Sequence, residues 1–187
     1  MLKKLLLACL IGLNGWFNVA QAQEPVVVDN PMDWEVSMMP KPTAEELEAA
    51  RWSIVLENDL GVYAYDLESL GMAQNEQGEV DANTINVLVK TVFTNKDVLK
   101  NLQTSYANKL EAKEKAQYCT MEMQYKLQEG LYTVRTMRVY TNTKREIDVQ
   151  QKEGIFAAIP KDTFAEALYE ICLDYAKEVE KAAAKSK

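Results

Sequence analysis

The chain has 187 residues, 28 acidic against 21 basic side chains, a formal net charge of −7 and no histidine. That length is enough for one domain with a real core, and the acidic balance disfavours phosphate backbones and anionic membrane surfaces as partners. Without histidine the commonest general base and the commonest metal ligand are both missing.

Residues 1–22 read as a secretory signal peptide. Lys3 and Lys4 give a basic start, residues 5–13 an apolar run, and Ala20-Gln21-Ala22 a small-residue cleavage site, with Gln23 as the mature start. The apolar run is too short to span a bilayer, and no other stretch is long or apolar enough. An uncleaved anchor is the alternative. Leu6-Leu7-Ala8-Cys9 has the form of a lipoprotein box but lies too early in the chain. The expected location is therefore outside the cytoplasm, in the periplasm or at the cell surface. Removing residues 1–22 takes away two lysines and no acids, leaving 19 basic residues against 28 acidic. It also removes Cys9 and leaves Cys119 and Cys172. An even pair in an exported protein is more often a disulfide than two free thiols, so a Cys119–Cys172 bridge is expected.

Residues 23–42 hold four of the five prolines: Pro25, Pro31, Pro40 and Pro42. Proline offers no backbone donor, so the stretch cannot be a helix or a central strand and reads as an extended arm. It carries Val26, Val27, Val28, Trp34, Met38 and Met39. Such an arm packs on its own domain, on a second copy or on another protein; Trp34, Met38 and Met39 are the candidate partner contacts. Residues 43–180 form the single domain.

Thr43-Ala44-Glu45-Glu46 is a capping signature for a short helix to about 51. Residues 52–57 alternate as a strand, 58–61 turn, and 62–66 return with Tyr63 and Tyr65 on one face. Residues 71–81 read as a loop around Gly78. Its acids Glu76, Glu79 and Asp81 faintly suggest a calcium loop, but counting from Gly78 the bidentate acid position falls on Thr84, so a plain turn is expected. Residues 83–93 form a third strand with Ile85, Val87, Val89 and Phe93 on one face and Leu88 and Val92 on the other, the mark of a central position. Thr94 with Asp97 opens a helix to about 115, with Leu99, Leu102, Tyr106 and Leu110 at helical spacing. Its end, 109–115, is a mixed charge run expected to be a solvated helical face.

The clearest signal lies between 117 and 140. Cys119, Met121, Met123, Tyr125 and Leu127 alternate with Thr120, Glu122, Gln124 and Lys126, a strand with one buried and one wet face. Gln128-Glu129-Gly130 turns and 131–140 returns, giving a hairpin at the centre of the fold. Residues 146–151 and 155–159 read as two further strands. Thr163 and Glu166 then cap a helix whose stripe is Phe164, Leu168, Ile171, Tyr175 and Val179, with Cys172 beside it. Residues 181–187 should fray. The expected class is α+β: an antiparallel sheet of about six strands, with a middle and a C-terminal helix packed on it.

Several of these stretches together resemble the surface-adhesin protein E-like family of bacterial exported proteins. Trp52-Ser-Ile-Val-Leu-Glu followed by Tyr63-Ala-Tyr65-Asp66-Leu-Glu-Ser69-Leu70 is similar to the family's opening hairpin and its Tyr-Asp-x-x-Ser turn. Cys119 opens the strands containing Tyr125-Lys126 and Val139-Tyr140. Phe156-Ala-Ala-Ile159-Pro160-Lys-Asp-Thr163 to Cys172 is similar to the closing pattern of an aromatic, Ile-Pro, a capped helix and a cysteine. The likeness covers roughly residues 51–175. Phe156 replaces the family's usual Trp, and residues 94–115 match no family pattern. The resemblance implies a sheet-and-helix domain at the cell envelope, often dimeric, with some members binding host matrix proteins. It transfers no binding residue.

Residue chemistry alone points away from catalysis. The serines have no histidine partner, and no glycine-rich phosphate loop, metal spacing or activated cysteine is present. Glu166 with Glu170, or Glu170 with Asp174, could serve a carboxylate hydrolase, but acids on the outer face of an amphipathic helix are expected anyway. Tyr63, Tyr65, Tyr132 and Tyr140 could form an aromatic binding face on the sheet, or pack within it. The expected function is a non-catalytic, cofactor-free protein-binding module of the envelope or cell surface, adhesin-like. Its partner would be a second copy or an extracellular or envelope protein, met through the arm or an open sheet edge. A periplasmic structural or assembly factor is the alternative, and a carboxylate hydrolase the third.

Overall fold

A computed structural model describes residues 43–185, apart from Glu76 and Glu153. The expected signal peptide 1–22, the expected arm 23–42 with Trp34, Met38 and Met39, and the last residues of the tail lie outside the described residues.

Among the described residues three helices and eight strands follow in the order α1 (Ala44–Arg51), β1 (Trp52–Asn58), β2 (Gly61–Asp66), β3 (Gly71–Gln74), β4 (Val80–Phe93), α2 (Lys96–Ser105), β5 (Ala116–Lys126), β6 (Leu131–Thr141), β7 (Glu146–Gln151), β8 (Ala157–Ala158) and α3 (Phe164–Lys185). All strand pairs are antiparallel in one open sheet, ordered β1-β2-β4-β5-β6-β7. β3 adds to β4, and β8 adds to β6. The α+β class, the central position of β4 and the middle and C-terminal helices all follow the sequence reading.

β4 is long enough to serve two partners in succession. Its end pairs with β2 from Val89 to Phe93, and its start pairs with β3 from Val80 to Asn86. Between them the Leu88 amide would lack a ladder partner. The Ser69 hydroxyl accepts from it at 2.8 Å while donating to the Asp66 carbonyl. Asp66 itself is fully buried and bound by the Arg51 guanidinium at the end of α1. That guanidinium holds its carboxyl below the ordinary range, against the opposing effect of burial.

The main core lies on one face of the sheet beneath α3. Ile85, Val87, Val89, Met123, Tyr125 and Leu127 meet Ala165, Leu168, Cys172 and Ala176. Tyr125 donates its hydroxyl to the Ala165 carbonyl at 3.1 Å, and Tyr169 donates to the Leu127 carbonyl at 2.7 Å, so helix and sheet are pinned as well as packed. The buried stripe of α3 is centred on Cys172 rather than beside it, and Val179 is exposed. Ala165 and Ala176 explain the shift: small side chains let the backbone approach the sheet along that line. Thr163 caps Glu166 as expected, but the Glu166 carboxylate reaches back to the Asp162 amide. The helix continues through residues 181–185 instead of fraying, consistent with the high helix propensity of Ala182-Ala-Ala184.

A second cluster holds Ala116, Cys119, Val139 and Ile147 beneath Leu102, Tyr106 and Leu110. It corrects the expected bridge. Cys119 and Cys172 are free, buried thiols in separate clusters, and Met121 packs against both. Burial pushes Cys119 up to about 11 and Cys172 up to about 12.

Three further expectations change. α2 is capped by Asn95, which accepts from the Asp97 and Val98 amides, and it ends at Ser105, not near 115. The charge run beyond it is a loop tied to distant strands. Lys109 reaches Asp148 at 2.6 Å, and Arg145 grips Glu114 and the Lys109 carbonyl. Within the expected loop 71–81, Gly71–Gln74 is β3; the turn that follows is closed by the Asn75 side chain, which accepts from the amides of Gln77 and Glu79. The strand expected over 155–159 narrows to Ala157–Ala158.

Candidate functional site

The helices α2 and α3 cover one face of the sheet. The other face can be read row by row from the strand register, because side chains on one face recur every second residue. One row crosses six strands as Ile54, Ala64, Lys90, Thr120, Arg138 and Val149. The adjacent row runs Glu57, Val62, Val92, Tyr118, Tyr140 and Glu146. Ile54 at one free edge and Val149 at the other are exposed apolar side chains.

The centre of this face is aromatic and cationic. Tyr118 and Tyr140 stack with ring centroids 4.9 Å apart and planes 9° from parallel. The Lys90 ammonium sits 5.0 Å from the Trp52 ring centroid and 5.0 Å from that of Tyr118, a bridge between two π faces. Glu48 of α1 pairs with Lys90 at 3.7 Å. Arg138 binds Glu122 at 2.5 Å and lies 3.6 Å from Glu146, which also accepts from the Tyr140 hydroxyl at 3.4 Å. Partial burial, then Tyr140 and Glu48, push the Tyr118 phenol above its ordinary value. Hydrogen bonding to Arg138 holds Glu122 below its own. The charges are therefore locked in complementary pairs around a half-buried aromatic centre.

Two concavities flank that centre. At one side α1 overhangs the sheet and encloses about 360 Å³ with Trp52, Val62, Lys90 and Val92. At the other a groove of about 550 Å³ runs past Ser69, Asn86, Leu88, Glu122 and Arg135.

No family model, curated protein or solved structure matches the chain.

The expected aromatic face of Tyr63, Tyr65, Tyr132 and Tyr140 is not one surface. Tyr63 stacks on Phe164 of α3 at 4.8 Å, and Tyr65 and Tyr132 pack on the main core. Only Tyr140 faces outward. Tyr132 and Tyr140 would share a face on a regular strand. An extra residue, Arg135, bulges from β6 between Thr136, opposite Glu122, and Val134, opposite Met123, and this reverses the alternation. The partner of Tyr140 is Tyr118. Its signal was present, since Tyr118 continues the wet-face series Thr120, Glu122, Gln124 and Lys126 by one step.

Two of the three carboxylates considered for hydrolysis, Glu166 and Asp174, are engaged elsewhere. Glu166 accepts from the Asp162 amide, and Asp174 pairs with Lys177 at 2.8 Å on the exposed side of α3. Glu45 and Glu48 share the cavity beneath α1, where Lys90 and Lys144 stand beside them. Among the described residues no group of His, Cys, Asp and Glu could hold a metal ion, and no helix is long and apolar enough to cross a membrane.

Proposed function

We propose that this protein is an exported, non-catalytic protein-binding module of the bacterial envelope or cell surface, adhesin-like, working through the face of its sheet opposite α2 and α3. The observation that carries the reading is the registered centre Trp52–Lys90–Tyr118–Tyr140–Arg138. Tryptophan, tyrosine and arginine are the side chains that dominate protein–protein hot spots: the aromatic rings bury much area at little entropic cost, and the guanidinium offers a planar fork of donors. Here they are held in place by stacking and ion pairs, so little further ordering is needed on binding. Among the described residues β1 and β7 are the outer strands and pair with no further strand, so their main-chain donors and acceptors beside Ile54 and Val149 are ones a partner strand or a second copy can complete.

Export rests on the basic start, apolar run and Ala-Gln-Ala site of residues 1–22. The adhesin-like assignment rests on the resemblance set out above, whose quoted stretches fall on the β1–β2 hairpin, the β5–β6 hairpin and the entry to α3. The test combines protease shaving of intact cells with binding of the purified protein to immobilised matrix proteins. Accessibility to protease, and binding lost in a Tyr118→Ser/Tyr140→Ser variant, are expected. A protected protein that binds a protein of its own envelope would instead establish the periplasmic assembly factor. A protein retained in the cytoplasm, or binding indifferent to the double substitution, would overturn the proposal.

A further inference from the structure

A third concavity lies away from the open face, between α2 and the ends of β4 and β5. It encloses about 570 Å³, within the usual size of small-ligand sites. Its apolar wall is Phe93, Leu99 and the fully buried Ala116. Lys96 and Lys100 stand one turn apart on α2, and Lys115 stands on the opposite wall at the entry to β5. No carboxylate lines the cavity.

The charge lining this cavity is all of one sign, although acidic residues outnumber basic ones in the chain. Four lysines elsewhere are paired with carboxylates: Lys90 with Glu48, Lys109 with Asp148, Lys177 with Asp174 and Lys181 with Glu178. Among the described residues Lys96, Lys100 and Lys115 make no ion pair. Three lysines lining one cavity with no carboxylate among the lining residues give it a positive potential that favours an anion. The walls are also fixed. Gln103 donates to the Ala116 carbonyl at 3.1 Å, while Lys115 and Asn142 exchange bonds, the Lys115 amide to the Asn142 side chain and the Asn142 amide to the Lys115 carbonyl.

We infer that this cavity is a binding site for a small amphiphilic anion, an acyl chain bearing a carboxylate or phosphate head. The chain lies against Phe93 and Leu99, and the head sits among the three lysines. This inference is independent of the sheet-face reading, since none of the cavity's residues belongs to that face's aromatic and cationic centre.

The test is an isothermal and NMR titration of the full chain with dodecanoate below its micellar concentration. Saturable one-to-one binding is expected, with amide shifts centred on Phe93, Leu99 and Ala116. Lys96→Gln/Lys100→Gln/Lys115→Gln should weaken it about tenfold at low salt, with a smaller loss as salt screens the wild type. Leu99→Trp, which fills the cavity and keeps the lysines, should abolish it with the circular dichroism spectrum retained. Vesicles of phosphatidylglycerol identify the source: competition with dodecanoate for the same amides makes a membrane lipid the natural ligand, and no competition makes it a free acid. Equal binding of dodecyltrimethylammonium, unchanged affinity in both variants, or vesicle adsorption without dodecanoate binding would overturn the inference.

Discussion

Tyr125 and Tyr118 stand on the same strand and face opposite ways. Tyr125 is fully buried, stacks against Tyr132 and Tyr169, and donates its hydroxyl to a backbone carbonyl of α3. Tyr118 is half-buried, stacks on Tyr140 and borders a lysine. One ring is committed to a helix of its own chain; the other lies on the opposite side of the sheet between Tyr140 and Lys90. The contrast holds across the sheet, with aliphatic and aromatic packing beneath α3 and charge-paired aromatics opposite. Stability should reside in the first face, and the second should tolerate substitution without unfolding.

The sharpest way to break this contrast is to truncate both tyrosines in turn. Tyr125→Ala should cost about 4 kcal/mol, from lost burial plus the cavity left behind. Tyr118→Ala should cost about 1 kcal/mol, the worth of a cross-strand aromatic pair. Denaturant unfolding of the two variants measures both, and equal losses would erase the distinction.

Asp66 is the polar exception, a buried carboxylate at the junction of α1, β1 and β2. Asp66→Asn should cost about 2 kcal/mol, since the Arg51 pairing and the amide contact from Glu68 both weaken. Its folded pKa lies below the unfolded value, so its contribution is complete above the ordinary aspartate range, near 3.9, and is lost as the pH falls through the folded value. The acid limb of a stability profile should therefore be flatter in Asp66→Asn than in the wild type.

The smallest expected effect is the thiol result. A bridge closing this loop would contribute about 4 kcal/mol in the chain-entropy model. With both cysteines free, reductant should leave the melting temperature unchanged, and both buried thiols should resist alkylation until the protein unfolds. Their raised pKa values act in the alkaline direction. The stability they confer is complete below the unfolded thiol value, about 8.5, and is lost as pH rises toward about 11 for Cys119 and about 12 for Cys172.

Much of the covered face was legible. The alternation from Cys119 to Leu127 located β5 and its inward side chains, and the mixed faces of 83–93 marked β4 as central. The open face was harder because its geometry depends on register. The bulge at Arg135 is a main-chain event with no distinctive residue, yet it decides that Tyr132 is core and Tyr140 surface. The end of α2 at Ser105 carries no glycine or proline signal. It is set by Arg145 and Asp148, which hold the following loop from far along the chain. The cysteines both lie on or beside inward-facing stripes, which is consistent with pairing, but sequence does not show which helix lies over which end of the strand. β3 has no β-branched residue to announce it.

The claim that the uncovered face is the binding surface is tested most directly by site-specific photocrosslinking in cells that make the protein. A photoreactive residue replaces Thr120, at the centre of the open face, or Asp174, on the exposed side of α3. The account predicts a discrete protein adduct from position 120, to a second copy or to another protein, and none from position 174. No adduct from position 120, or the same adducts from both positions, would contradict it.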